Sequence, residues 1–247
     1  RSTDPSATLP GARTLVVGAR SYHRDPPPRP AGPTGRVARY VWADDQDRLL
    51  AGLGTIADRL RTAGHRAIVL ADQNHLVDRA VAHRAGLGWF GRNANLLLPG
   101  RGSWFLLGAV LTDAGADDVE GLPIASAPVA DGCGPCRRCE DACPTAAIVA
   151  PGVVDARRCL SWSLQTTGSF PRDHRVALGD RIYGCDDCQE VCPPNRREVR
   201  RAAPAGRGEP VPVGDPRHAW VGLVDLLGSS DEELLDRHGR WYVARRD

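Results

Sequence analysis

Eight cysteines occur in the 247-residue chain, and all of them lie between positions 133 and 192. The first run reads CGPCRRCEDACP, with the spacing C-x2-C-x2-C-x3-C-P. The second run reads CDDCQEVCPP and repeats C-x2-C-x3-C-P, while Cys159 stands alone between the two runs. The first spacing is a known 4Fe–4S pattern, in which three thiolates hold one cubane and the fourth reaches a second cubane. Because two cubanes need eight thiolates, the cysteines predict two clusters.

The ligands are assigned by the crossing rule of such runs, in which the last cysteine before the proline serves the opposite cluster. Cys159 is included because eight ligands are needed, although its spacing alone is not diagnostic. One cluster is therefore predicted to be held by Cys133, Cys136, Cys139 and Cys192. The other is predicted to be held by Cys143, Cys159, Cys185 and Cys188.

Zinc and disulfide bonds are the other common uses of clustered cysteines. Zinc sites usually pair two C-x2-C segments and do not use three cysteines at successive x2 spacing before C-P. Disulfides need an oxidising compartment, for which the sequence has no signal. Iron–sulfur chemistry is therefore favoured. Two clusters with crossed ligands lie close together and form a relay for single electrons, so a partner protein or a second redox centre must receive them.

Residues up to about 125 alternate between the patterns of buried strands and amphipathic helices. A helix is predicted through Leu49, Leu53, Ile56 and Leu60, with Gly64 at its C-terminal cap. This alternation predicts an α/β layer structure around a sheet. The other predicted elements are the strands Thr14–Gly18 and Ala67–Ala71, the helix Leu76–Ala85 and a central strand, Trp104–Leu111.

The chain is predicted to have three segments. These are an α/β domain over residues 1–125, a double-cluster domain over 126–200 and a C-terminal tail over 201–247, with helices at His218–Leu227 and Asp231–Arg237. No apolar stretch approaches the ~20 residues of a membrane-spanning helix, and Arg1–Gly18 lacks the apolar run of a signal peptide. We therefore expect a cytoplasmic monomer without membrane association. The net charge of +2 predicts no strong field for nucleic acid.

Six segments resemble the epoxyqueuosine reductase family, and together they cover most of Leu9–Arg197. Two of them, GLGWFGRNANLLL and GSWFLLGAVLTD, span Gly86–Leu98 and Gly102–Asp113. The cysteines lie in two more, CGPCRRCEDACPTAAIVAPGVVDARRCLSW and GDRIYGCDDCQEVCPPNR. The N-terminal pair is LPGARTLVVGARSYH and GRVARYVW. The match is dense, so we treat the resemblance as specific.

The resemblance implies an α+β fold: a nitroreductase-like α/β domain that holds cobalamin, followed by a ferredoxin-like domain with two 4Fe–4S clusters. The family removes the epoxide oxygen from epoxyqueuosine at the wobble position of certain tRNAs, which is the last step of queuosine synthesis. An external donor, such as a flavodoxin or ferredoxin system, supplies electrons. They pass through the outer and then the inner cluster to cobalt, which in its reduced form is the nucleophile.

The resemblance places the family's proton-donating carboxylate on Asp72. Its pKa would have to be raised by an enclosed apolar site to hold a proton near neutrality. Asp72 also lies between a predicted strand and a predicted helix, where aspartate is a favoured N-cap. The sequence alone favours the cap, and only the resemblance favours the acid.

The resemblance also implies that Asn95, Ser103 and Trp104 contact cobalamin, although their motifs equally predict roles in turn and sheet packing. Two segments depart from the family. Gln73–His75 replaces a stretch of small residues and proline, and Ala43–Asp47 lacks an expected Tyr-His pair. We expect the family's C-terminal helical repeats, which help to grip tRNA, to be absent.

Two other functions remain open at this point. One is a reductive dehalogenase-like corrinoid enzyme that acts on a small organohalide, and the other is an electron-transfer iron–sulfur protein. An α/β domain of more than a hundred residues argues against the second, because an electron carrier needs no such pocket. Contact with tRNA phosphate is predicted for four arginines that are equally typical of a solvated linker: Arg196, Arg197, Arg200 and Arg201.

Overall fold

The computed structural model describes residues 4–73, 75–119, 121–125, 127–196 and 213–239. These residues form two compact units. The first unit contains the described residues of Arg1–Tyr22, Asp44–Gly91 and Asn95–Gly134. The second contains those of His23–Ala43, Arg92–Ala94 and Pro135–Asp247.

The described residues contain short strands and helices, some of which follow one another without alternating. The strands in the described residues are β1 (Thr14–Ser21), β2 (Thr34–Val37), β3 (Ala67–Leu70), β4 (Trp89–Phe90), β5 (Leu96–Leu97), β6 (Phe105–Thr112), β7 (Ile148–Ala150), β8 (Val153–Val154), β9 (Arg181–Tyr183) and β10 (Trp220–Gly222). The α-helices described from end to end are α1 (Asp45–Thr62), α2 (Asp78–Arg84), α3 (Arg138–Asp141), α4 (Leu160–Ser163), α5 (Arg175–Leu178), α6 (Asp187–Glu190), α7 (Pro216–Ala219), α8 (Leu223–Gly228) and α9 (Asp231–His238).

The first unit is built on a three-stranded antiparallel sheet in the order β1-β6-β3. The prediction of a central strand over Trp104–Leu111 is therefore confirmed by the position of β6. Helix α1 covers one face of this sheet and buries Leu49, Leu53 and Leu60 in the same core as Val110. Full burial of each such leucine contributes about 1.5–3 kcal/mol. A Cβ on Gly108 of β6 would lie 2.7 Å from the Leu53 side chain, so glycine permits this close approach.

The other face of the same sheet carries α2. Leu9, Leu70, Leu76 and Leu111 form a second core cluster there. Helix α2 is shorter than the predicted Leu76–Ala85, because regular helix begins only at Asp78.

The second unit contains a smaller sheet in the order β10-β2-β9. Strand β2 pairs antiparallel with β10 and parallel with β9. Its core includes Val37, Trp42, Tyr183, Ala219 and Val221. The three elements come from distant parts of the sequence, so this sheet forms only when the chain is folded.

The two units do not follow the predicted boundaries at residues 125 and 200. Residues 23–43 belong to the second unit because Val37 of β2 packs with Tyr183 and Val221. The described part of the predicted tail belongs to the same unit. The predicted helix His218–Leu227 is confirmed only at its two ends, which lie in α7 and α8, because Trp220–Gly222 between them pairs with β2 as a strand. The predicted final helix is confirmed as α9.

Within the residues described, no helix has both the length and the apolar composition that crossing a membrane requires.

Candidate functional site

The two cysteine runs adopt the same local backbone. Cys139 lies in α3 and Cys188 lies in α6. In each run, the cysteine that follows the helix donates its backbone N–H to the carbonyl three residues earlier. The Cys143 N–H donates to the Glu140 carbonyl at 3.2 Å, and the Cys192 N–H donates to the Gln189 carbonyl at 3.1 Å. Helices α3 and α6 pack against each other. The repeated spacing thus produces a repeated structure.

All eight cysteines are free thiols and none of them is exposed. The disulfide alternative is therefore wrong. The sulfur of Cys143 accepts a hydrogen bond from the Ala147 N–H at 3.2 Å, which is the type of contact that tunes cluster sulfurs. Among the described residues, no three Cys, His, Asp or Glu side chains are arranged to hold a single metal ion.

Cys185, Cys159 and Cys139 all lie near Cys188 in the second unit. Burial raises the pKa of Cys185 to about 12. The pKa of Cys188 is raised by burial first, and then by the nearby Cys185 and Cys159. Such thiolates are unfavourable unless a cation balances them, and iron is a suitable soft-ligand partner. The donor set therefore fits an iron cluster.

A buried carboxylate, Asp186, lies between Cys185 and Cys188 in the sequence. It accepts a hydrogen bond from the Arg39 backbone N–H at 2.8 Å, and the Arg39 guanidinium lies 3.5 Å away. Burial raises the pKa of Asp186 to about 6, against the lowering effect of the Arg39 contacts. Sequence analysis did not identify Arg39 or Asp186, although the sequence CDDC already places an acid between two predicted ligands.

Arg92 and Asn93 also contact the cysteine runs. The Arg92 Nε donates to Glu140 at 2.7 Å, between Cys139 and Cys143 in the sequence. The buried Asn93 side-chain amide donates to the Cys188 carbonyl at 3.3 Å. The resemblance included this GRN segment but assigned it no role. We interpret the two residues as supports for the cysteine loops.

Asp72 follows β3 in an exposed turn, with a backbone φ of 53°. Helix α2 begins six residues later and its N-cap is Val77, so the N-cap interpretation of Asp72 is wrong. A left-handed conformation in a non-glycine residue is uncommon, and such strain clusters at functional sites. Of the neighbouring segment Gln73–His75, position 74 lies outside the described residues.

A second carboxylate, Asp78, lies near Asp72. The pKa of Asp78 is raised from 3.8 to about 6, first by burial and then by repulsion from Asp72. Asp72 is therefore one member of a pair of interacting acids at the end of β3 and the start of α2.

The Asp78→Asn variant is expected to become more stable than the parent as the pH rises, because the parent loses stability when Asp78 ionises. Because the folded pKa exceeds the unfolded pKa, stability from this group is present below pH 3.8 and is lost as the pH rises through about 6. After discounting for solvent screening, the variant should gain about 1 kcal/mol relative to the parent between pH 5 and pH 8. Anaerobic denaturant unfolding at the two pH values measures this.

Asp47→Asn is the matched control, because exposed Asp47 occupies the first turn of α1 as Asp78 does that of α2. A pH-independent difference between Asp78→Asn and the parent would contradict the prediction.

The predicted cobalamin contacts, Asn95, Ser103 and Trp104, lie in the first unit. The Asn95 carbonyl accepts the Gly91 N–H at 2.8 Å, in the turn between β4 and β5. Ser103 and Trp104 are buried, and the Trp104 ring meets Tyr22 edge-on at 5.9 Å. These contacts match the packing roles that the motifs also predict.

The first unit contains an apolar cavity of about 630 Å³ between β1, α2 and residues 116–119 and 122–125. Its lining residues include Leu15, Val81, Leu87 and Ile124, together with one charged residue, Arg84. Neither Asp72 nor any of the three predicted cobalamin contacts lines it.

Trp89 provides a buried hydrogen-bond donor elsewhere in the same unit. It is buried, and its indole N–H has no hydrogen-bond partner among the described residues. A Cβ on Gly132 would lie 2.7 Å from the ring, so glycine lets the backbone approach the indole there. A polar group of a bound molecule would satisfy this donor, and in this respect the unit fits a cofactor.

Of the four arginines predicted to meet tRNA phosphate, Arg196 donates to the Glu190 carbonyl at 3.2 Å. Arg197, Arg200 and Arg201 lie outside the described residues.

Comparisons with known proteins agree with this site. Residues 132–195 match a family model described as a 4Fe-4S double cluster binding domain. That range contains all eight cysteines, so the predicted iron–sulfur module is confirmed. An epoxyqueuosine reductase of Synechococcus is 41% identical over 237 residues, covering 93% of this chain and 68% of the relative. The chain belongs to the epoxyqueuosine reductase family.

Other epoxyqueuosine reductases extend the match. The Bacillus cereus relative is 34% identical over 249 residues, covering 97% of this chain and 61% of the relative. A selenomethionine-labelled epoxyqueuosine reductase superposes with a TM-score of 0.83 at 33% identity, over 98% of this chain and 63% of that one. An epoxyqueuosine reductase with an epoxyqueuosine-modified tRNA-Tyr stem loop superposes with a TM-score of 0.82 at 32% identity, covering 98% of this chain and 64% of that chain. The chain thus spans about three fifths to two thirds of the length of these relatives.

Proposed function

We propose that this chain reduces epoxyqueuosine to queuosine in tRNA, with two 4Fe–4S clusters that pass electrons to cobalamin. One observation carries the proposal: the chain matches, over 98% of its length, a solved epoxyqueuosine reductase bound to a modified tRNA stem loop. The double-cluster domain with its eight free cysteines supports the iron–sulfur part. The same match favours this function over a dehalogenase or a simple electron carrier.

The proposed ligand sets follow the crossing rule. Cys133, Cys136, Cys139 and Cys192 would hold one cluster, and Cys143, Cys159, Cys185 and Cys188 the other. Cys159 and Cys185 lie near Cys188, and so does Cys139 of the first set, which supports two adjacent clusters. The two clusters would deliver single electrons in succession.

Cobalamin enters the proposal through the family, whose α/β domain is nitroreductase-like. When bound, it would supply a strongly nucleophilic reduced cobalt. The unsatisfied indole N–H of Trp89 is a donor for such a ligand. Asn95, Ser103 and Trp104 remain proposed contacts, although Ser103 and Trp104 are packed inside the unit.

Asp72 is the proposed proton donor. Removal of an epoxide oxygen to leave an alkene consumes two electrons and two protons and releases water. A carboxyl group that protonates the oxygen as the carbon–oxygen bond breaks contributes typically 10²–10⁴-fold to the rate. Asp72 is exposed at the end of a strand, so a substrate can reach its carboxyl group.

The substrate base lies in a tRNA loop. Sequence-specific recognition of RNA targets unpaired bases that can be unstacked, which suits chemistry on a wobble base. We propose that basic side chains after the second cysteine run, including Arg196, meet the phosphates. This surface would bind tRNA in a salt-dependent way.

Anaerobic purification, metal analysis and a turnover assay test the proposal together. We expect about eight iron atoms and one cobalt per chain after reconstitution with cobalamin, and a broad iron–sulfur absorbance beside the corrinoid bands. With a chemical reductant, the protein should convert epoxyqueuosine in a tRNA stem loop to queuosine. Full metal loading without conversion of the stem loop would overturn the assigned substrate, and zinc in place of iron would overturn the relay.

A further inference from the structure

Several charged side chains lie around the loop from Cys185 to Cys188, including Asp187, which pairs with Arg36 and Arg181. Asp186 is the innermost, held by the Arg39 backbone N–H at 2.8 Å. The Arg39 guanidinium lies 3.5 Å from Asp186 and 2.7 Å from Glu190. Arg36 lies 3.9 Å from the same Glu190 carboxylate. The acids and the arginines therefore form one connected network.

This network is shielded from water at its centre. The side chains of Arg39 and Asp186 are 10% and 7% exposed. The Arg39 guanidinium also lies over the Trp42 ring, 5.3 Å from its centroid. Charges act more strongly on one another in such surroundings than at an exposed surface. By contrast, Glu190 is 39% exposed and contributes a more screened charge.

Strand pairing places the segment that contains Arg39 next to Asp186. Strand β2 runs parallel to β9, and the Ala38 N–H donates to the Tyr183 carbonyl at 2.9 Å. A Cβ on Gly184 would lie 2.6 Å from the Ala38 side chain. The segment that carries Arg39 is thus fixed beside the cysteine loop by backbone contacts that do not depend on the Arg39 side chain.

We propose that Arg39 is a positioning residue that offsets the charge of Asp186 and thereby sets the reduction potential of the cluster held by Cys185 and Cys188. The inference rests on the proposed ligation by these two cysteines. Reduction adds one negative charge to the cluster, and net charge around a cluster is one of the factors that set its potential. The Asp186 anion opposes reduction, and the Arg39 cation lowers that opposition.

The proposal predicts shifts of opposite sign. Arg39→Gln removes the cation and should lower the potential, whereas Asp186→Asn removes the anion and should raise it. The double variant should lie between the two single variants and near the parent. A purely structural contact would be damaged by either change, so it would not give two signs that cancel.

The experiment is a redox titration of the anaerobic, iron-loaded full chain at pH 8, followed by electron paramagnetic resonance. His23, whose pKa is lowered by burial first and then by Arg39, is neutral at that pH. Arg39→Gln is expected to lower the equilibrium constant for reduction of one cluster at least about tenfold, which is about 59 mV for a one-electron couple. Arg39→Lys keeps the charge and should restore most of the shift. The second cluster serves as an internal reference and should move less.

Arg157→Gln is the matched control, because Arg157 pairs with Asp155 close to Cys159 but is 84% exposed. The cluster reduction potentials of Arg157→Gln should equal those of the parent. Should Arg39→Gln fail to fold, Asp186→Asn and Arg39→Lys decide the matter alone. Unchanged potentials, or shifts of one sign in both single variants, would overturn the proposal while the iron count of about eight still supports the clusters. An iron count near zero in the parent would instead overturn the proposed function.

Discussion

Replacing Asp72 with asparagine is expected to lower turnover of epoxyqueuosine in tRNA at least about 100-fold, because the departing oxygen loses its proton donor. Asparagine has nearly the same shape and tolerates the left-handed backbone found at this position. The fold and the metal sites should therefore be preserved. Single-turnover rates on a modified stem loop, measured with reduced protein, test this.

Two controls separate proton donation from a structural effect. Asp72→Asn should retain the parent's iron and cobalt content, and Asp72→Glu, which keeps a carboxyl group, should recover part of the rate. Asp58→Asn changes an exposed acid of the same unit and should leave turnover unchanged. Parent-like turnover in Asp72→Asn would remove the acid role from Asp72.

Replacing Cys159 with alanine is expected to reduce the iron content from about eight atoms to about four per chain and to abolish turnover. One cluster would lose a thiolate, and the relay would be interrupted. The cluster held by Cys133, Cys136, Cys139 and Cys192 should survive. Iron and sulfide counts, together with the resonance spectrum of the reduced protein, measure the loss.

The comparison variants are Cys188→Ala and Cys136→Ala. The first should reproduce the Cys159→Ala spectrum, since both ligands are assigned to one cluster, and the second should remove the other signal. Retention of about eight iron atoms in Cys159→Ala would take Cys159 off the ligand set. If Cys159→Ala instead lost the same resonance signal as Cys136→Ala, Cys159 would be assigned to the first cluster.

Local patterns were sufficient for the iron–sulfur module. Cysteines two or three residues apart lie on one turn of chain, so their spacing encodes the local geometry of the site, as the matching loops around Cys139 and Cys188 show. Helix α1 was predicted correctly because its buried face repeats with the helical period, and the central strand β6 because a continuous apolar run is typical of a buried strand. The predicted helix over His218–Leu227 was interrupted at Trp220–Gly222, because pairing with β2 overrode local preference there.

Contacts between distant residues were decided by the tertiary structure. Arg39 and Asp186 are 147 positions apart, and Asn93 reaches Cys188 over 95 positions. The side-chain partners of these residues depend on which strands pair and how closely backbones approach, and no short window of sequence contains that information. The amino-acid order determined that seven of the eight thiolates lie in two runs with matching turns, with Cys159 alone between them. Folding determined which charges are buried beside them, because burial and long-range pairing are properties of the assembled chain.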